Sequence, residues 1–421
     1  MKRLPSSVFI LVLFFPVLSC PAKGMEQWLS EHEAELHGFA DMRAGVRLGD
    51  DPHEKEASLG ELRLQLDLFK YLDRGSIKLK GDVVADTVAE EVRPELREAN
   101  LLYSPLDFMD VRLGRQILTW GTGDLLFIND LFPKDWESFF IGRDSEYLKL
   151  PNDAVKVSLF FDLANIDLVY VPIFNASTYI DGSRVSYWNP LLGRIAGNDF
   201  ILNDHERNSF PDDSEYTARL YRNIGSMEMA FYFYSGFWKT PEGLDPVAGR
   251  LIYPKLNEYG TSARWPVWGG IANLEAGYYD SRDDRDGGDP LLRNSEWRLL
   301  AGYERELARD FTGGMQYYLE WMEDYDAYRS SAGQYLKDEY RHLFTLRLTK
   351  LLFRQNLLLA FFVYYSPSDE DGYLRLNSQY KLTDQWTIAV GGNFFSGNTD
   401  HTFFGQFEEN DNVYAGLTRT F

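Results

Sequence analysis

Leu62-Arg-Leu-Gln-Leu-Asp-Leu-Phe69 and Ile77-Lys-Leu-Lys-Gly-Asp-Val83, joined through Leu72-Asp-Arg-Gly-Ser76, decide the fold. In the first run Leu62, Leu64, Leu66 and Leu68 share one parity, against Arg63, Gln65, Asp67 and Phe69. The second run sets Ile77, Leu79, Gly81 and Val83 against Lys78, Lys80 and Asp82. A period of two belongs to the β-strand, whose side chains alternate between its faces. One face here is as apolar as lipid and the other is charged, which is what a strand standing between lipid and water requires.

The same alternation recurs along the chain. Val155, Val157 and Leu159 oppose Lys156 and Ser158; Met227, Met229, Phe231 and Phe233 oppose Glu228 and Tyr232; Ala272, Leu274, Ala276 and Tyr278 oppose Asn273 and Glu275. The segments are about 9 to 11 residues long, enough for a tilted strand to cross a bilayer. Connections alternate between short ones (72–76, 162–165, 223–226, 266–270, 307–310 and 382–385) and long ones (120–152, 174–214, 238–256, 280–295, 323–339 and 397–411). Outer-membrane barrels have that asymmetry, with tight periplasmic turns and long extracellular loops. The chain is therefore expected to be all-β, a transmembrane antiparallel β-barrel of about 18 strands. Its first strand, Leu36 to Leu48, should pair with its last, Val413 to Phe421. Trp120, Trp238, Trp297 and Trp321 fall where the outer rim would lie, and Trp265, Trp268 and Trp386 near the periplasmic rim, as interfacial rings prefer.

Composition agrees with one large barrel domain. Aromatic residues make up 15% of the 421, a richness that two interfacial girdles would use, and no Pro/Ser-rich linker divides the chain. A net charge of -21 excludes nucleic acid as the natural partner. Lys2 and Arg3 precede an apolar run from Val8 to Leu18, so residues 1–24 read as a secretory signal peptide and 25–421 as the barrel. Cleavage after Gly24 is one expectation. Lipidation at Cys20 is the other, because Val17-Leu18-Ser19-Cys20 resembles a lipobox. Cys20 is the single cysteine, so the mature chain has no disulfide to form.

The end of the chain, Val413-Tyr-Ala-Gly-Leu-Thr-Arg-Thr-Phe421, resembles the assembly signal of bacterial outer-membrane barrels: a terminal aromatic with apolar residues at every second position before it. That resemblance implies recognition by the barrel-assembly machinery at Phe421. Leu113-Gly-Arg-Gln-Ile-Leu-Thr-Trp-Gly-Thr-Gly-Asp124 resembles a segment of alginate-export-type and related substrate-specific porins, in which a Gly-Arg-Gln strand feeds the pore loop. The likeness implies a pore position for Arg115 and Gln116. Strict alternation separates those two residues, and a bulge would be needed to bring them together.

The connection 120–152, the third outer loop, is too apolar for a solvated loop, with Phe127, Ile128, Leu131, Phe132, Trp136, Phe139 and Phe140. Folded inward, it would place Asp124, Lys134, Asp135, Glu137, Arg143 and Asp144 at a constriction, joined by Arg112, Arg115 and Gln116 from the strand before it. Lumen parity elsewhere falls on Arg43, Arg63, Lys78, Lys80, Lys156, Arg219, Arg298, Arg347 and Arg375. Rings of one sign select the opposite ion. The basic residues suggest anion preference; inward charges that pair and brace the wall are the equal alternative.

Other chemistry has little support. The acidic run Asp280 to Asp289 fits no calcium loop. His32 and His37 alone have ligand spacing, and no serine of matching parity accompanies His342, so neither a metal site, a cofactor nor an enzyme is expected. The expected function is an outer-membrane channel passing small hydrophilic solutes by diffusion, anions among the candidates, its pore narrowed by 120–152. The alternative is a barrel sheath around a partner in an outer-membrane complex, such as an electron-conducting cytochrome.

Overall fold

The computed structural model describes residues 23–205, 207–333 and 335–421. Residues 1–22 of the expected signal segment, Cys20 among them, lie outside the described residues. A helix, Lys23–Glu31, precedes the first strand. Eighteen strands then form one sheet: β1 Ala34–Arg47, β2 Ala57–Leu72, β3 Gly75–Asp86, β4 Glu91–Leu106, β5 Met109–Ile117, β6 Pro151–Phe160, β7 Asn165–Val171, β8 Glu215–Ile224 and β9 Met227–Phe237. The second half continues with β10 Lys255–Val267, β11 Gly270–Ser281, β12 Glu296–Ala308, β13 Phe311–Met322, β14 Tyr340–Leu352, β15 Leu357–Ser366, β16 Asp371–Lys381, β17 Trp386–Gly397 and β18 Asn412–Thr420.

Each strand pairs antiparallel with its neighbours in sequence, and β1 pairs with β18 from Phe39↔Thr420 to Arg47↔Asn412. The barrel is therefore closed and leaves no edge. Phe421 completes the seam: its N–H donates to the Gly38 carbonyl at 2.9 Å and its carbonyl accepts from Gly38 N–H at 3.0 Å. The even strand number brings both ends of the sheet to the side of the tight turns.

Alternation divides the wall as the sequence requires. Met42, Leu66, Leu79, Leu113, Phe231 and Leu274 stand exposed on the outside, where lipid covers them. Asp41, Arg43, Arg63, Gln65, Asp82 and Gln116 are buried on the inside. No helix among the described residues is long and apolar enough to cross a membrane.

Three expectations need correction. The fifth strand stops at Ile117 rather than running on to the connection expected from residue 120, because Leu118 and Trp120 turn inward and pack with Phe132 and Tyr232. Trp120 and Trp238, 8% and 3% exposed, are consequently interior residues and not part of an outer girdle. Trp297 and Trp321 do face outward, and Trp268 stands in a periplasmic turn. The short/long alternation is also uneven: the outer connections 87–90 and 367–370 are as short as turns.

Candidate functional site

The segment 118–150 leaves β5 and runs along the inner wall. It begins with Gly121, at φ 79°, in a backbone conformation that a side chain would strain, and a Cβ there would lie 3.2 Å from the Glu275 carboxylate. This bend lets Thr122 N–H and Gly123 N–H both donate to Glu275 Oε1 on β11, and Asn129 Nδ2 donates to the other oxygen at 2.8 Å. Asp124 N–H donates to Gln316 on β13 at 2.7 Å, and Tyr364 on β15 donates to the Leu125 carbonyl at 2.9 Å. A buried carboxylate gripped by backbone donors is a strong anchor, since charge-assisted bonds gain strength away from water.

The middle of the segment forms a short helix, Trp136–Ile141. Asp135 caps it by accepting from Ser138 N–H, and Gly142 ends it at φ 91°, pressed against the Tyr414 ring where a Cβ would overlap. Phe139 and Phe140 meet Tyr373 at 5.7 and 5.6 Å, and Phe140 meets Phe395 at 5.3 Å, so the helix is seated on β16 and β17. This packing accounts for the apolar composition of the connection. Each fully buried side chain of this size is worth roughly 1.5–3 kcal/mol.

Beyond the helix, ionic contacts hold the chain. Arg143 bonds Glu61 on β2 and approaches Glu137 at 3.6 Å and Asp135 at 3.7 Å. Burial opposes its charge, yet these carboxylates hold the guanidinium above its ordinary range. Glu137 is pushed up by burial, against the pull of Arg143 and Arg184. Arg184, from the outer connection 172–214, bonds Asp86 and so ties that loop to the same cluster. Asp144 lies 3.5 Å from Arg43, and Lys80 bonds Glu146.

The expected constriction residues thus separate into groups. Asp124 pairs with Arg347 of β14 at 2.5 Å, on the wall opposite β5 in the ring of strands. Burial raises its carboxyl above the usual range despite that partner. Lys134 is buried against Asp130 at 3.0 Å, and burial lowers its ammonium. Asp135, Glu137 and Arg143 belong to the buried cluster rather than to open lumen, while Gln116 is fully buried in the inner wall. Arg112 faces inward opposite Lys156. Arg115 is a correction. It points outward and makes a two-pronged ion pair with Asp153 of β6 at 2.9 and 3.0 Å, with unbroken register on that side and no bulge to turn it inward.

Most of the inward cations have carboxylate partners. Arg43 pairs with Asp41 at 2.7 Å, Arg63 with Asp82 at 2.6 Å, Lys78 with Glu98 at 2.7 Å, Lys156 with Asp167 at 3.5 Å, Arg219 with Asp167 at 2.7 Å and Arg298 with Glu296 at 2.6 Å. Arg375 instead lies over the Phe139 ring at 4.6 Å. Sequence reasoning had left pairing of the inward charges as an equal alternative; what it missed was the part played by Glu275, whose inward parity was visible but whose backbone partners were not.

Two cavities flank the segment. One of about 750 Å3 lies toward the periplasmic turns, lined by Lys80, Asp124, Lys149, Arg264 and Arg347. Another of about 400 Å3 lies toward the outer loops. Both touch Leu125, Phe127 and Asp130. A closed, even-stranded barrel with an apolar outer face and water-accessible space inside has one setting.

The fold is that of the outer-membrane porins. Two solved porin-type structures of Pseudomonas aeruginosa superpose on the chain: OccK5 (OpdH), 9% identical with a TM-score of 0.55, covering 92% of this chain and 98% of that one, and OccK11 (OpdR), 11% identical with a TM-score of 0.53, covering 92% and 95%. No protein-family model and no curated protein matches the sequence. The likeness at such identity is one of architecture, a closed porin-type barrel.

Proposed function

We propose that the barrel is a diffusion channel for small hydrophilic solutes, narrowed where segment 118–150 crosses the bore. The observation that carries this reading is the pair of cavities on either side of that segment, which share Leu125, Phe127 and Asp130 in their linings. A solute travelling between them must pass this strip and the neighbouring Asp124–Arg347 pair.

Paired cations argue for weak charge selectivity rather than a strong anion preference, because each carboxylate cancels most of its partner's field. Arg264 and Lys149 in the larger cavity are the residues that would tip the balance toward anions. A sheath around a partner protein would need a bore wide enough for a folded chain along its whole length, and the cavities of about 400 and 750 Å3 on either side of segment 118–150 argue against that reading. Channel chemistry calls for no catalytic group. Conductance of the refolded chain in planar bilayers tests the proposal: discrete ohmic steps are expected, and a protein that inserts without conducting would refute it.

A further inference from the structure

The outer cavity differs in character from the rest of the lumen. Its volume of about 400 Å3 suits a small ligand rather than a hydrated ion. Rings dominate its surface, with Phe127 and Trp136 from segment 118–150, Trp238 from the loop 238–254, Tyr279 and Tyr318 from the wall, and Phe404 from the loop 398–411. The cations at its edge are all matched: Lys134 with Asp130, Lys239 with Glu215, Arg293 with Glu242, Arg298 with Glu296 and Arg341 with Asp369, at distances between 2.5 and 3.0 Å. An arriving anion would find these charges already neutralised.

Two hydrogen-bond donors are not matched. Trp238 Nε1, in a side chain only 3% exposed, has no acceptor, and neither has Arg341 Nη2. A buried donor without a partner costs about 1–3 kcal/mol, so both would gain from an acceptor atom brought into the cavity. An apolar ring surface with charge-compensated edges and spare donors is complementary to one kind of molecule.

We propose that this cavity binds an uncharged, ring-bodied solute carrying an acceptor oxygen, of the aryl ketone type, and holds it at the entrance to the narrowing. The inference rests on the channel reading for its transport consequence, but the binding itself does not. Rings stack against the aromatic walls, and because Trp238 Nε1 and Arg341 Nη2 are sealed within the lining, a small shift of either side chain toward the cavity brings its donor to the carbonyl oxygen.

Calorimetric titration of the full-length refolded protein in detergent with 2-acetonaphthone and with 2-naphthoate tests this, because the two probes share a shape and differ by one charge. The ketone should bind saturably above the protein-free micelle blank, and the carboxylate at least about tenfold more weakly, as a desolvated anion lacking a free counter-charge should. Trp238→Phe keeps a ring and removes the N–H, and should weaken the ketone about threefold to tenfold. Naphthoate binding as tightly as the ketone would make this an anion site and overturn the proposal. So would the absence of saturable ketone binding, or unchanged ketone affinity in Trp238→Phe. Saturable binding by a protein that does not conduct would sink only the channel reading; conduction without binding would sink only this one.

Discussion

Asp124 and Arg347 form an ion pair, and the protonation state of the carboxyl decides whether the fixed charge of the guanidinium is compensated. Because burial raises the Asp124 carboxyl, it takes up a proton at a higher pH than the ordinary value of about 3.9 as the solution is acidified. Acidification then leaves Arg347 uncompensated beside the narrowing. Reversal potentials measured under a salt gradient should move toward anion selectivity as pH falls from 7 toward 4, and Asp124→Asn should show the anion-shifted value at every pH. A wild-type selectivity that stays flat over this range would count against the pair's position on the solute path. The Arg143 cluster carries a different expectation. Arg143→Met takes from buried Glu61 its close partner, leaving Arg63 at 3.5 Å, and should destabilise the protein by about 3–5 kcal/mol in urea unfolding, whereas the double variant with Glu61→Gln should recover much of the loss. Residue roles were only partly legible in the sequence. Parity assigned Arg43, Arg63 and Arg347 to the inner face, whereas a family resemblance drew Arg115 and Gln116 together toward the pore although alternation separates them; Arg115 pairs with Asp153 on the outside. Ion-pair partners come from neighbouring strands and loops, and that register is invisible until the strands are paired.

Segment 118–150 is the element on which the pore reading turns. Its aromatic content showed that it must bury itself, because rings exposed to water on a loop gain nothing to offset the cost of ordering the chain. What the sequence did not reveal was the anchor: the two N–H groups clasping Glu275 depend on a left-handed glycine and on a strand more than a hundred residues away. Nor could it show that loop 172–214 is tied to the same cluster through Arg184. Deleting residues 125–140 should raise single-channel conductance severalfold and relax ion selectivity while heat-modifiable barrel persists. Unchanged conductance in a correctly folded variant would mean that the solute path avoids the segment.

At the scale of the whole molecule, strand number, closure and the pairing of the two ends were readable from alternation and turn spacing, because a barrel imposes one period on every strand. The uneven loops were not, since 87–90 and 367–370 break the simple rule. Phe421 closes the seam by exchanging hydrogen bonds with Gly38, and its deletion should lower the yield of folded, heat-modifiable protein in the outer membrane; an unaltered yield would remove the terminal residue from any part in assembly.

Hydrogen bonds between strands fix the circumference of a barrel but resist flattening of its cross-section only weakly. Segment 118–150 springs from β5 and is fastened to Glu275, Gln316 and Tyr364 on the far side, then to Glu61 and Asn412 near the seam. It is a strut across a hoop. Lateral pressure from the membrane that would squeeze an empty ring into an ellipse is here carried by a chain under tension and compression, so the bore should keep its shape, and its current its steadiness, in bilayers of different stiffness.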